Sequence, residues 1–192
     1  MNAGQYCCGT ERIYVMDDIY DEFVGEVVSI TKTLIQSNDC KGDVGPTFWD
    51  KQIEIIEDHV KDAIDKGAKV LVGGKRNPNF EGLYFEPTVL TEVTHEMKIM
   101  KDETFGPIIS IMKVSSEEEA LMLANQSHYG LNGNVWTKDL IKGKKLAQSI
   151  ETGACSVNDM AMSYGVNEVP FGGVKESGLG VVNGEEGLLA YA

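Results

Sequence analysis

The sequence predicts an α/β protein, with a mostly parallel open sheet and helices on both faces. Helical and strand patterns alternate along the chain, as in folds where helices cross between parallel strands. The run Ile108–Val114 is almost continuously apolar, as expected of a strand buried on both faces. With 192 residues, 42% of them hydrophobic, the chain can bury a substantial core, and residues 1–192 are expected to form a single domain.

From the amino end, Arg12-Ile13-Tyr14-Val15 is a short strand. Ile19, Phe23, Val27, Ile30 and Leu34, spaced by threes and fours, give one face of a helix. Gly42-Asp43-Val44-Gly45-Pro46 is a loop, and Ile53, Ile56, Val60 and Ile64 line a second helix that Gly67 can terminate. Lys69-Val70-Leu71-Val72 is a strand stopped by two glycines, residues 85–93 are extended with Pro87 interrupting, and Ile108–Val114 is the buried strand. Ser115 and Ser116, each three residues before an acid (Glu118, Glu119), form overlapping capping boxes for the next helix. Residues 134–136 form a strand, 140–150 a helix and 154–157 a strand, and the glycine-rich tail from Pro170 is expected to be loop.

Composition excludes some functions. With 30 acidic against 17 basic side chains and a net charge of -13, the surface is unsuited to nucleic acid or an anionic membrane. No apolar run approaches a membrane span and no leader pattern opens the chain, so a cytoplasmic protein is expected. Cys7, Cys8, Cys40 and Cys155 have neither metal-site nor disulfide-framework spacing, which leaves reduced thiols and no metal.

Three segments carry candidate chemistry. In Asn2-Ala3-Gly4-Gln5-Tyr6-Cys7-Cys8 a thiol sits on a glycine-containing loop before a strand, where backbone N–H groups can activate it and stabilise an oxyanion; the competing reading is an inert buried thiol. Glu103-Thr104-Phe105-Gly106-Pro107 offers a carboxylate for a ribose diol and a ring for a flat heterocycle, against the alternative of an ordinary loop acid. The third, Pro170-Phe171-Gly172-Gly173-Val174-Lys175-Glu176-Ser177-Gly178-Leu179-Gly180, is rich in glycine but has neither Walker spacing nor the strand before it that a dinucleotide fingerprint needs.

As an ordered set, N-x-G-Q-x-C, E-T-F-G-P and P-F-G-G-x-K-x-S-G resemble the aldehyde dehydrogenase superfamily. Gly45-Pro46, Tyr84-Phe85-Glu86-Pro87-Thr88-Val89, Tyr129-Gly130-Leu131 and Val135-Trp136-Thr137-Lys138-Asp139 extend the resemblance over nearly the whole chain. It implies the catalytic domain of that fold, oxidising a small aldehyde to an acid with NAD or NADP. Cys7 would be the nucleophile, passing through a thiohemiacetal and a thioester, with Cys8 and Tyr6 beside it. Glu103 and Gln52 would contact the nicotinamide-side ribose, with Phe105 packing alongside. Phe171 and Asn158 would line the aldehyde pocket, and residues 160–164 would shape substrate choice.

The sequence also departs from the family pattern. Only six residues precede Cys7, so the family's general-base Glu, its oxyanion Asn and most of its nucleotide-binding sheet have no counterpart here. The chain stops at Leu189-Ala190-Tyr191-Ala192, before the family's C-terminal oligomerisation strand, and Val181 stands where Arg is common. A general base contributes about 10²–10⁴-fold and an oxyanion donor roughly 10²–10³-fold, so these residues alone are expected to lack dehydrogenase activity. Members of the family are homo-oligomers; this chain is expected to be a monomer or a dimer. Two other readings are a non-catalytic piece that binds full-length subunits and a cofactor-independent thiol esterase using Cys7.

Overall fold

The computed structural model describes residues 2–160 and 162–192, which divide into two compact units, Met1–Glu117 and Glu118–Ala192. The first contains β1 (Arg12–Met16), α1 (Tyr20–Thr31), α2 (Asp50–Asp65), β2 (Lys69–Val72), β3 (Thr88–Thr91) and β4 (Ile108–Val114). Its four strands form one sheet in the order β1-β4-β3-β2. The pairs β1–β4 and β3–β4 are parallel, while β2 joins β3 antiparallel, so the sheet is mixed. The antiparallel edge arises because the return from β2 to β3 is a turn-rich loop with no crossover helix.

The period-two alternation of each strand divides its side chains between two helices. On one face Val15, Val89 and Ile111 pack with Phe23, Val24, Val27 and Val28 of α1. On the other, Leu90 and Ile108 join Ile53, Ile56, Val60 and Ala63 of α2, together with Phe85, Met97, Ile99 and Met100. Helices thus cover both faces of this sheet, as the alternating pattern predicts.

Helix ends obey local chemistry. Gly67, in the left-handed region at φ 100, lets the Ala68 N–H turn back to the Ala63 carbonyl (2.9 Å) and closes α2. The apolar spacing of the first helix continues to Leu34, but α1 ends at Thr31. The Thr33 hydroxyl donates to the Ile30 carbonyl at 2.7 Å, and Leu34 N–H bonds back only to Thr31, a tightened turn.

The second unit holds α3 (Glu117–Asn125), β5 (Tyr129–Gly130), β6 (Asn132–Val135), α4 (Leu140–Ser149), β7 (Ala154–Val157), α5 (Met162–Gly165), β8 (Phe171–Gly172), β9 (Val174–Lys175), β10 (Val181–Val182) and α6 (Gly184–Leu189). α3 starts one residue after Ser116, where the capping boxes put it. Strands β6 and β7 pair in parallel, with α4 as their crossover. Asp139 caps α4 by accepting from the Ile141 and Lys142 N–H groups.

The tail from Pro170 is not simply loop. It holds the antiparallel pair β8–β10, strand β9, which pairs antiparallel with the upstream β5, and α6. Pairings two residues long are too short for an alternation pattern, and the glycines hide them. Gly153 meets Gly172 so closely that a β-carbon at Gly153 would lie 1.6 Å from the Gly172 carbonyl oxygen. Among the described residues, no helix is long and apolar enough to cross a membrane.

Candidate active site

The candidate nucleophile lies in the segment that leads into β1. Asn2–Gly4 is a 3-10 turn in which Asn2, Ala3 and Gly4 all have positive φ. Buried Gln5 anchors this turn from its carboxyl side. Its amide NH₂ donates to the Pro46 carbonyl at 3.1 Å, and its carbonyl accepts from the Phe48 N–H at 2.8 Å. The turn is thereby fastened to the loop preceding α2.

Beyond it, Cys7 is exposed and Cys8 is buried, with sulfurs 3.7 Å apart. Burial, and then the neighbouring Cys7, push the Cys8 thiol up to about 11. Cys8 therefore stays protonated at neutral pH and can donate its S–H toward Cys7, the thiol that faces solvent. Half-buried Tyr6 closes the local turn, its carbonyl accepting from the Gly9 N–H at 2.7 Å.

Glu103 and Phe105 lie in the loop before β4, the parallel neighbour of β1. Both candidate loops therefore meet at the amino ends of paired strands, whereas open α/β sheets more often bind ligands at the carboxyl ends. Glu103 is exposed, and partial burial raises its carboxyl above the ordinary range. Phe105 is half-buried with φ 48, a conformation that costs a non-glycine residue on the order of 1 kcal/mol and persists only where its surroundings enforce it.

The enforcement comes through Thr104, which is fully buried. Its carbonyl accepts from the Gln52 amide at 2.7 Å, and its hydroxyl pairs with His59 Nδ1 at 3.1 Å. Its N–H, and that of Phe105, donate to the two carboxylate oxygens of Glu11 at 3.2 and 2.9 Å. Burial lowers the His59 pKa and raises that of Glu11, the latter against the two N–H groups that favour its charged form.

Gln52 is thus brought to the Glu103 loop, with its amide engaged on backbone. Glu11, His59 and Thr104 escape sequence reading because each acts across a long stretch of chain. His59 alone gives an advance signal, as a polar residue on the apolar face of α2, whereas Glu11 and Thr104 lie in irregular chain.

In the second unit, Phe171 is buried in β8 and meets the Tyr164 ring edge-on, with centroids 5.3 Å apart. Asn158 is exposed, with φ 58, and spends both ends of its amide on Thr137: it accepts from the N–H and donates to the carbonyl, each at 2.8 Å. This clamp holds the turns after β6 and β7 together. Of the segment 160–164, Ala161 lies outside the described residues. Among the described residues no group of three or more His, Cys, Asp or Glu side chains is placed to hold a metal ion.

The model of the aldehyde dehydrogenase family matches residues 1–192, from one end of the chain to the other. The chain belongs to that family. A putative NADP(+) succinate-semialdehyde dehydrogenase of Mycobacterium ulcerans is 45% identical over 99% of this aldehyde dehydrogenase chain and 37% of its own length. A 4,4'-diapolycopene aldehyde oxidase of a Methylomonas species is 40% identical over the whole chain and 35% of its own length.

The fold agrees with solved members. Betaine aldehyde dehydrogenase of Staphylococcus aureus, in complex with NAD+, superposes with a TM-score of 0.92 at 36% identity, covering 99% of this chain and 38% of that one. Another structure of that enzyme, a point mutant with NAD+, carries a BME-modified cysteine. The chain therefore spans a little over a third of the relatives it matches.

Proposed function

We propose that this chain supplies the nucleophile and the nicotinamide-side contacts of an NAD(P)-dependent aldehyde dehydrogenase. The observation that carries this reading is the exposed Cys7 thiol, backed by the buried Cys8 sulfur at 3.7 Å, in a segment whose Gly4 packs on Gly106 of the Glu103 and Phe105 loop. The exposed Glu103 carboxylate fits a ribose diol and Phe105 offers a ring beside it, so the residues present suit a nicotinamide nucleotide. We take residues 1–192 as one catalytic domain, since the family model matches that whole span.

Cys7 acts as the thiolate. Its sulfur attacks the carbonyl carbon of a small aldehyde, forming a C–S bond while the carbonyl oxygen becomes an oxyanion, which the Cys7 backbone N–H stabilises. Cys8, held neutral by burial, can donate its S–H toward the Cys7 sulfur 3.7 Å away. Glu103 and Phe105 would hold a nicotinamide nucleotide, which would supply the hydride acceptor needed to reach the thioester. Water then adds to the thioester carbon, the C–S bond breaks, the acid leaves and Cys7 is restored. The protein works in a reducing, cytoplasmic compartment, which keeps Cys7 and Cys8 as thiols.

A cofactor-independent esterase would need a base at Cys7. Instead, His59 pairs with Thr104, His95 with the Tyr14 hydroxyl at 3.0 Å, and His128 packs on the Tyr129 ring. Because the longer relatives carry much more chain, we infer that these 192 residues alone do not turn over aldehyde.

Alkylation at neutral pH with subsequent peptide mapping tests the nucleophile. Cys7 should react fastest, well ahead of Cys40, the other exposed thiol. Equal rates at the two would remove the claim that the environment of Cys7 is prepared for chemistry. In the protein at its native length, Cys7→Ser should lower NAD(P)-dependent aldehyde oxidation by roughly 10³-fold or more.

A further inference from the structure

Cys7 lies between two attachments to a single loop. Three residues before it, Gly4 packs on Gly106 so tightly that a β-carbon at Gly4 would come within 1.8 Å of the Gly106 carbonyl oxygen. Four residues after it, Glu11 grips the Thr104 and Phe105 N–H groups with its two carboxylate oxygens. The gripped residues include Phe105, whose left-handed conformation requires support from outside the loop. Both attachments use the registered pairing of β1 with β4, Arg12 opposite Ser110, which sets the two loops side by side.

The Cys7 turn also has its own anchor. Gln5 ties it to Pro46 and Phe48, independently of Glu11. Removing the Glu11 carboxylate therefore frees the N–H groups of Thr104 and Phe105, with Gln52 and His59 still holding Thr104, and leaves the nucleophile's turn fastened. Glu11 acts through backbone, accepting from the Thr104 and Phe105 N–H groups of the Glu103 loop.

We propose that Glu11 is a positioning residue of this dehydrogenase: its carboxylate holds the nucleotide-contacting loop of Glu103 and Phe105 in register with Cys7. This rests on the function proposed above and adds to it a determinant of nucleotide affinity that lies outside the nucleotide's own contacts. A carboxylate is suited to the task because it offers two oxygens to two consecutive N–H groups, and hydrogen bonds to a charged acceptor are the stronger kind.

The test compares Glu11→Gln, Glu11→Asp and Glu11→Ala with the wild type, using the protein at its native length. In Glu11→Ala the nucleotide KM should rise about tenfold or more, and the amides of Thr104 and Phe105 should exchange hydrogen at least about tenfold faster. The Cys7 alkylation rate without nucleotide should stay within about twofold of wild type, since the Gln5 anchor remains. Glu11→Gln keeps one carbonyl acceptor in the same shape and should fall between wild type and Ala; Asp, one methylene shorter, should resemble Ala.

A purely structural role would reduce the active fraction and the melting temperature and leave nucleotide KM unchanged. An active wild type whose Glu11→Ala variant keeps its nucleotide KM, or keeps slow exchange at both amides, overturns the inference alone. If the Ala variant does not fold, the isosteric Gln variant gives the same comparison. A wild type that neither binds nucleotide nor oxidises an aldehyde overturns the functional reading as well, so the two failures are told apart by the wild type.

Discussion

The two adjacent cysteines show how exposure alone separates identical side chains. Cys8, pushed up to about 11, remains a thiol across the physiological range and can donate toward the exposed sulfur 3.7 Å away. His59 shows the same effect of burial on a base. Its pKa is lowered from 6.5, chiefly by burial, with Asp102 and Asp58 opposing. The unfolded chain therefore binds this proton first as pH falls. Stability is complete above about pH 6.5 and declines as pH drops toward the lower folded value. Urea unfolding at several pH values should show a shallower acid-side loss in His59→Gln than in wild type; equal slopes would sink this assignment. Glu11 has the opposite sign: between pH 4.5 and its raised folded value the folded state holds a proton that the unfolded state has lost, so its contribution to stability falls as pH rises through that window, above which it is the charged acceptor. Cys7 is legible in the sequence because its neighbours Gly4 and Gln5 are local. The contacts Glu11–Phe105 and Gln52–Thr104 span 94 and 52 residues, and nothing in a linear pattern records them.

Among the elements, those defined by apolar periodicity over a sufficient length are the legible ones. The strands at Lys69–Val72, Ile108–Val114 and Ala154–Val157 have the limits that their apolar runs suggest. β3 occupies only Thr88–Thr91 of a longer extended stretch, because Pro87 has no N–H to donate. The strands and helix of the tail give no such signal, since their pairings depend on backbone approaching backbone across glycines. One residue of β4 breaks the expected pattern. Ser110 lies between Ile108 and Met112 on the face toward α2, is 1% exposed, and its hydroxyl is the buried side-chain oxygen without a hydrogen-bond partner among the described residues. An unpaired buried hydroxyl costs about 1–3 kcal/mol. Ser110→Ala should therefore leave the melting temperature unchanged or raise it; a drop equivalent to about 1 kcal/mol or more would mean that the hydroxyl has a partner in solution.

At the scale of the whole molecule, both clusters of buried apolar side chains belong to the first unit. In the second, the buried hydrophobic side chains among the described residues are Leu123 and Phe171. Residues 1–117 expressed alone should therefore fold, giving helical circular dichroism and a cooperative thermal transition, whereas 118–192 alone should give neither. A non-cooperative melt of the first piece would show that its sheet needs the rest of the chain. The same four-stranded sheet ends at β2, whose first three residues are exposed. A sheet's last strand presents unpaired peptide groups, which can recruit a strand from another molecule and seed fibrils. Here the register slips between Val70 and Val72, and Lys69 carries its charge at the strand's entrance, paired with Glu92 at 2.6 Å. The bulge twists the rim out of line and the ammonium discourages a close neighbour, so this border is a poor template for amyloid growth despite the run of valine and leucine within it.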